Sequence, residues 1–201
     1  MQVSKSKVLY YSVNFDYKNV MDCVKKTLFV SKEYDDDISG IYTKTTDSYY
    51  PLDGEIKEDD KKIINSKYSS HIDKMKTSEN FILYKDLFFI ANSEFHITTL
   101  FTGGKVHEKS SYLESEVGRK VSVKINKLGV SGNFITMGVE SIKFEDGTDI
   151  AYYGNDVKHI TIALNKTGKK VFPKDSYTAL SDGKIFTVDY TIEGTTSRIT
   201  Q

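Results

Sequence analysis

Cysteine is all but missing from this chain: Cys23 is the only one in 201 residues. A single thiol rules out an internal disulfide framework and fits a reducing compartment. Net charge is missing too, since 28 Lys and Arg balance 28 Asp and Glu. Proteins that grip polyanions without selectivity carry a basic excess. The balance therefore argues against a long nucleic-acid footprint and leaves room for a small phosphate ligand or the end of an RNA. No apolar run reaches the roughly 18 residues that span a bilayer. Met1 to Lys7 is polar, unlike the apolar core of a signal peptide. The expectation is a soluble, cytoplasmic protein with no membrane span. Nothing in the composition speaks to its oligomeric state.

Several familiar chemistries lack their residues. There is no Gly-x-x-x-x-Gly-Lys-Ser/Thr loop for phosphates, no Gly-x-Gly-x-x-Gly and no Gly-x-Ser-x-Gly elbow. A zinc site needs three or four closely spaced ligands. Here four His are scattered, no His-x-x-x-His occurs, and Asp35-Asp36-Asp37 reads as a solvated loop.

What is present is a short pattern written twice. His96-Ile97-Thr98 lies in Phe95–Phe101, and His159-Ile160-Thr161 lies in Lys158–Leu164. Both segments are rich in β-branched and apolar residues and read as strands. Residues two apart on a strand share a face, about 6–7 Å apart. Each His should therefore stand beside its Thr, with the intervening Ile turned into a core. If the strands come together, two imidazoles and two hydroxyls converge on a cradle for a phosphodiester. The competing reading is a pair of ordinary half-buried strands. His71 reads as packing or surface, and His107 as exposed.

Taken in order, Val8–Phe15 reads as a strand, Asp16 as an N-cap, and about 17–30 as a helix with Val20, Cys23, Val24 and Leu28 inward. Residues 31–56 are polar and read as loop, with a short hairpin around Ile41–Thr43 or a mobile flap over the site. A second helix is expected over about 58–77, carrying Ile64, Tyr68, Ile72 and Met75. Lys85-Asp86 should turn one strand into the next. A short helix near 108–117 precedes a hairpin of Val121–Leu128 with Phe134–Val139, turned by Ser131-Gly132-Asn133. After the second His-x-Thr strand and Pro173, a last strand is expected over Ile185–Ile192. Strands outnumber helices and most connections are hairpins, which gives an α+β class in one unit covering 1–201.

The paired His-x-Thr strands resemble the two-histidine (2H) phosphoesterases. Phe95-His96-Ile97-Thr98-Thr99-Leu100-Phe101 followed by Gly104-Lys105 is most similar to the 2′,3′-cyclic nucleotide 3′-phosphodiesterase branch, which includes the myelin enzyme and the cyclic phosphodiesterase domain of fungal tRNA ligases. The resemblance extends over about 81–165 and does not align 31–77. It implies a two-lobed fold with antiparallel sheets flanked by helices and a central groove. It also implies that His96 and His159 are catalytic, that Thr98 and Thr161 hold phosphate oxygens, and that Phe101 stacks on a nucleobase. No metal or other cofactor is implied. The substrate would be a nucleotide or RNA terminus whose 2′,3′-cyclic phosphate is opened to a 2′-phosphate. Two alternatives stay open: cleavage of 2′–5′ oligoadenylate or a cyclic oligonucleotide messenger, and a non-catalytic module that binds nucleotides or RNA ends. Residues alone do not say which His is the acid.

Overall fold

The computed structural model describes residues 7–30 and 38–201. The chain begins with β1 (Val8–Phe15) and turns at once into α1 (Tyr17–Leu28). Asp16 accepts a hydrogen bond from the Asn19 amide, as an N-cap should. Val20, Val24 and Leu28 are buried at helical spacing, and Lys25 and Lys26 sit in the last turn, where cations suit the helix dipole.

Next come β2 (Gly40–Lys44) and β3 (Tyr49–Pro51), then α2 (Glu58–Ile72). Strands β4 (Asn80–Tyr84), β5 (Leu87–Ala91) and β6 (Phe95–Phe101) follow. The remainder is α3 (Ser110–Glu116), β7 (Lys120–Val130), β8 (Phe134–Phe144), β9 (His159–Leu164), a 3-10 turn (Pro173–Thr178), α4 (Ala179–Asp182) and β10 (Lys184–Thr200). Helix α2 is shorter than the expected span, because the chain leaves it at Asp73 in turns that still bury Met75.

The ten strands form one antiparallel sheet in the order β3-β2-β4-β5-β9-β8-β7-β10-β1-β6. This differs from the expectation of separate sheets in two lobes. The ladder is continuous because β5 meets β9 at two residue pairs, Ile90 with Leu164 and Ala91 with Ala163. The sheet is also coiled, so β6, last in the order, returns to face β9. Such coiling accumulates from the right-handed twist of each strand.

The main core draws Val13 from β1, Val24 from α1, Ile97 from β6, Ile125 from β7, Ile135 from β8 and Ile160 from β9 into one cluster. A second cluster packs Ile64, Tyr68 and Ile72 of α2 onto Phe81, Leu83 and Phe88. Strand β4 serves both, since Phe81 and Leu83 face α2 while Ile82 and Tyr84 face the main core. The hairpin around Ile41–Thr43 is present as β2–β3, and its Tyr42 and Tyr49 are buried in the second cluster. Within 38–56 the chain is thus an edge hairpin with its coil, and none of these residues lines the cavity that holds His96 and His159. Residues 31–37 of the loop or flap expected over 31–56 fall outside the described residues.

Candidate active site

Alternation along β6 and β9 sorts the side chains as the period of two requires. Ile97 and Ile160 are buried in the main core, at 1% and 0% exposure. His96, Thr98, His159 and Thr161 are half-buried on the other face. All four, together with Phe101, line a single cavity of about 630 Å³. The two motifs, far apart in sequence, meet at one place.

Both motif strands are irregular at the same point. Opposite β1, Ser12 pairs with Thr98 and Tyr11 with Leu100, so Thr99 is an extra residue on β6. Opposite β8, Thr136 pairs with Thr161 and Ile135 with Ala163, so Ile162 is an extra residue on β9. Each β-bulge falls immediately after the motif Thr. A bulge reverses the facing of everything beyond it. Phe101 is five residues from His96, and an unbroken strand would turn it to the opposite face. The bulge at Thr99 sends Leu100 inward with Tyr11 and returns Phe101 to the cavity.

The bulges also lock the two strands together. The Tyr153 amide donates to the Thr99 carbonyl at 2.8 Å, and the Asn92 amide donates to the Ile162 carbonyl at 2.9 Å. Asn92 lies in the loop that enters β6, whereas Tyr153 lies in the loop that enters β9. Each motif strand is therefore clamped by the loop leading into the other. Asn92 adds a side-chain donation to the Thr161 carbonyl at 3.0 Å. Gly154 has to be small here, because a Cβ would stand 2.8 Å from the Thr98 carbonyl oxygen.

No protein-family model matches this chain. No curated protein matches it either. A crystal structure of a fungal RNA kinase is similar along 100% of the chain, with 12% identity and a TM-score of 0.46. The chain spans about half of that structure's length, 47%. So slight a likeness carries no argument about activity.

The two imidazoles sit in different surroundings. His96 stacks on Tyr10, with ring centroids 5.5 Å apart and planes inclined by 25°. Burial pushes the His96 pKa below its ordinary value; the Glu94 carboxylate opposes this, and the nearby His159 adds to it. His159 is tied to its own approach loop, with Nδ1 lying 2.8 Å from the Val157 carbonyl oxygen. A carbonyl can only accept, so Nδ1 carries a hydrogen and Nε2 is left as the exchangeable position.

The hydroxyls differ as well. Thr161 Oγ1 lies 2.6 Å from the hydroxyl of Ser176, a fully buried residue of the 3-10 turn. The Ser176 carbonyl accepts in turn from the buried Thr136 hydroxyl at 2.8 Å. If Ser176 donates to Thr161, the Thr161 proton is free to point into the cavity.

Tyr10, Ser176, Tyr152, Tyr153 and Lys174 are residues that the sequence did not single out, and Tyr152, Tyr153 and Lys174 line the cavity itself. They stand at no fixed spacing from either motif. Lys174 could have been noticed as part of the Lys-rich stretch 166–174. The other two histidines stand apart from the cavity: His71 packs on Phe88 at 5.6 Å, and His107 Nδ1 accepts from the Lys109 amide at 3.2 Å. Among the described residues, no three His, Cys, Asp or Glu side chains gather as metal ligands, and no helix is long and apolar enough to cross a membrane.

Proposed function

We propose that this protein is a two-histidine phosphodiesterase, acting in the cytoplasm, that opens the 2′,3′-cyclic phosphate of a nucleotide or RNA end to a 2′-phosphate. The observation that carries the reading is the convergence of His96, Thr98, His159 and Thr161 on one cavity, with an exposed Phe101 at its wall. Two titratable groups aimed at one space are what acid–base catalysis needs and what simple binding does not.

In this reading His96 is the base. Its burial keeps the ring neutral near pH 7, ready to take a proton. A water molecule attacks phosphorus, and its proton passes to His96. The new P–O bond forms as the bond from phosphorus to O3′ breaks. His159, holding Nδ1–H on the Val157 carbonyl, gives its Nε2 proton to the departing O3′. The products are a 2′-phosphate and a free 3′-hydroxyl, with both histidines exchanging protons with solvent before the next cycle. Thr98 and Thr161 donate to the non-bridging oxygens, where negative charge grows in the transition state. Phe101 stacks on the base of the terminal nucleotide, a contact worth about 1–3 kcal/mol.

The test is incubation with 2′,3′-cyclic nucleotides in the presence of a chelator, followed by identification of the phosphate isomer. A 2′-phosphate formed by the wild type and lost in His96→Ala and His159→Ala is expected. Turnover that survives either substitution would remove the catalytic assignment. Including 2′–5′ oligoadenylate and cyclic dinucleotides in the panel separates this reaction from cleavage of those messengers.

A further inference from the structure

The wall of the cavity carries a second aromatic ring that the proposed reaction on a mononucleotide leaves unused. Tyr153 lines the same space as Phe101, is 42% exposed, and belongs to no hydrophobic cluster among the described residues. Its backbone is nonetheless fixed. Its amide donates to the Thr99 carbonyl, and the adjoining Gly154 has no room for a Cβ beside the Thr98 carbonyl. A large exposed ring on an immobilised backbone is a preorganised stacking surface, since little freedom is lost when a ligand lies on it.

The Tyr153 and Phe101 rings line one cavity, which gives each of two neighbouring bases a ring of its own. The charge is placed to match. The Lys109 amino group lies 5.9 Å from the Tyr153 ring centroid, and its exposed ion pair with Glu108 at 3.5 Å is of the kind worth little in water. Lys174 lines the cavity itself. A neutral chain thus sets one lysine in the cavity wall and another against the Tyr153 ring, and basic groups beside aromatic rings are the combination that recognises single-stranded nucleic acid.

The chemistry of a cyclic end fixes the direction. A 2′,3′-cyclic phosphate occupies both ribose hydroxyls, so any further nucleotide is attached through the 5′ oxygen. Resting on the phosphodiesterase reading, we infer that Tyr153 and Lys109 form a subsite for the nucleotide immediately 5′ of the cyclic end. Tyr153 takes its base and Lys109 faces the phosphate between the two nucleotides. The preferred substrate is accordingly an oligoribonucleotide end and not a cyclic mononucleotide.

The experiment compares kcat/KM for a dinucleotide ending in a 2′,3′-cyclic phosphate with that for the matching cyclic mononucleotide, in wild type, Tyr153→Ala, Tyr153→Phe and Lys109→Ala. One stacked base predicts a dinucleotide preference of about 5- to 150-fold. Tyr153→Ala should bring the ratio close to one, Tyr153→Phe should retain it, and Lys109→Ala should reduce it in part. A wild-type ratio near one, or a ratio that Tyr153→Ala leaves intact, overturns the subsite while leaving the phosphodiesterase reading standing. If neither compound is opened, that reading falls, and calorimetry with the 2′-phosphorylated mononucleotide and dinucleotide decides the subsite separately. A dinucleotide advantage that disappears in Tyr153→Ala supports it, and equal affinities overturn it.

Discussion

The two motif strands repeat one plan and finish it differently. β6 is the edge of the sheet, and its bulge leads on to Phe101, which is 70% exposed in the cavity. β9 lies between β5 and β8, and its bulge leads to Ala163 and Leu164, both buried. On β6 the imidazole is packed under Tyr10 and beside Glu94, whereas on β9 it is held by a backbone carbonyl. The contrast teaches that the paired motifs bring the same side chains to one cavity, while the position of each strand in the sheet decides what surrounds them.

The sharpest way to break the comparison is to remove each imidazole in turn. His96→Ala and His159→Ala should each lower kcat/KM on a cyclic phosphate by about 10²–10⁴-fold. Unchanged kcat/KM in either variant would break the proposed pairing.

Beneath the site the halves should behave alike. Ile97→Ala and Ile160→Ala delete equally buried side chains of the same core and should each cost about 2–5 kcal/mol of stability, measured by chemical denaturation. A large disparity would mean that the core, and not only the surface, distinguishes the strands.

A smaller effect is expected from the hydroxyl support found on one side only. Ser176→Ala removes a hydrogen bond worth about 0.5–1.5 kcal/mol and should lower kcat by roughly 2- to 10-fold, with little change in KM. Ser176→Thr, which keeps the hydroxyl, should recover part of the loss.

The smallest effect concerns acidity. In the proposed reaction His96 must be neutral to act as base, so activity should fall as the pH drops through its lowered pKa. Glu94 raises that pKa, and Glu94→Gln should therefore shift the acid limb to still lower pH. The same depression has a consequence for folding. The unfolded chain takes up the proton first, so acidification below the ordinary histidine range, near pH 6.5, costs stability until the folded pKa is also passed.

Much of this arrangement was legible in the residues. Alternation put Ile97 and Ile160 in the core and each His beside its Thr on the other face, because burial of one strand face leaves a simple period of two; that the two strands meet is a tertiary fact no local period encodes. Asp16, the Lys85-Asp86 turn and the hairpin at 131–133 were equally plain. Phe101 was assigned only by resemblance to a family, since strict alternation points it the wrong way and a bulge leaves no mark in a short apolar run. The last strand was expected over Ile185–Ile192, yet β10 runs from Lys184 to Thr200. Gly194 lies within it at a close approach, because a Cβ there would meet Val13 at 2.5 Å and Phe15 at 2.9 Å on the neighbouring strand. Ser176 and Tyr153 belong to loops brought in by tertiary structure, which no local period encodes.

The reciprocal clamp means that the distance between the two imidazoles is not a free coordinate. Neither approach loop can peel away without releasing the opposite strand, so partial fraying at one end propagates to the other. The amide hydrogens of Asn92 and Tyr153 should consequently exchange with deuterated solvent at matched rates, as members of one cooperative opening unit whose protection measures how long the pair stays assembled.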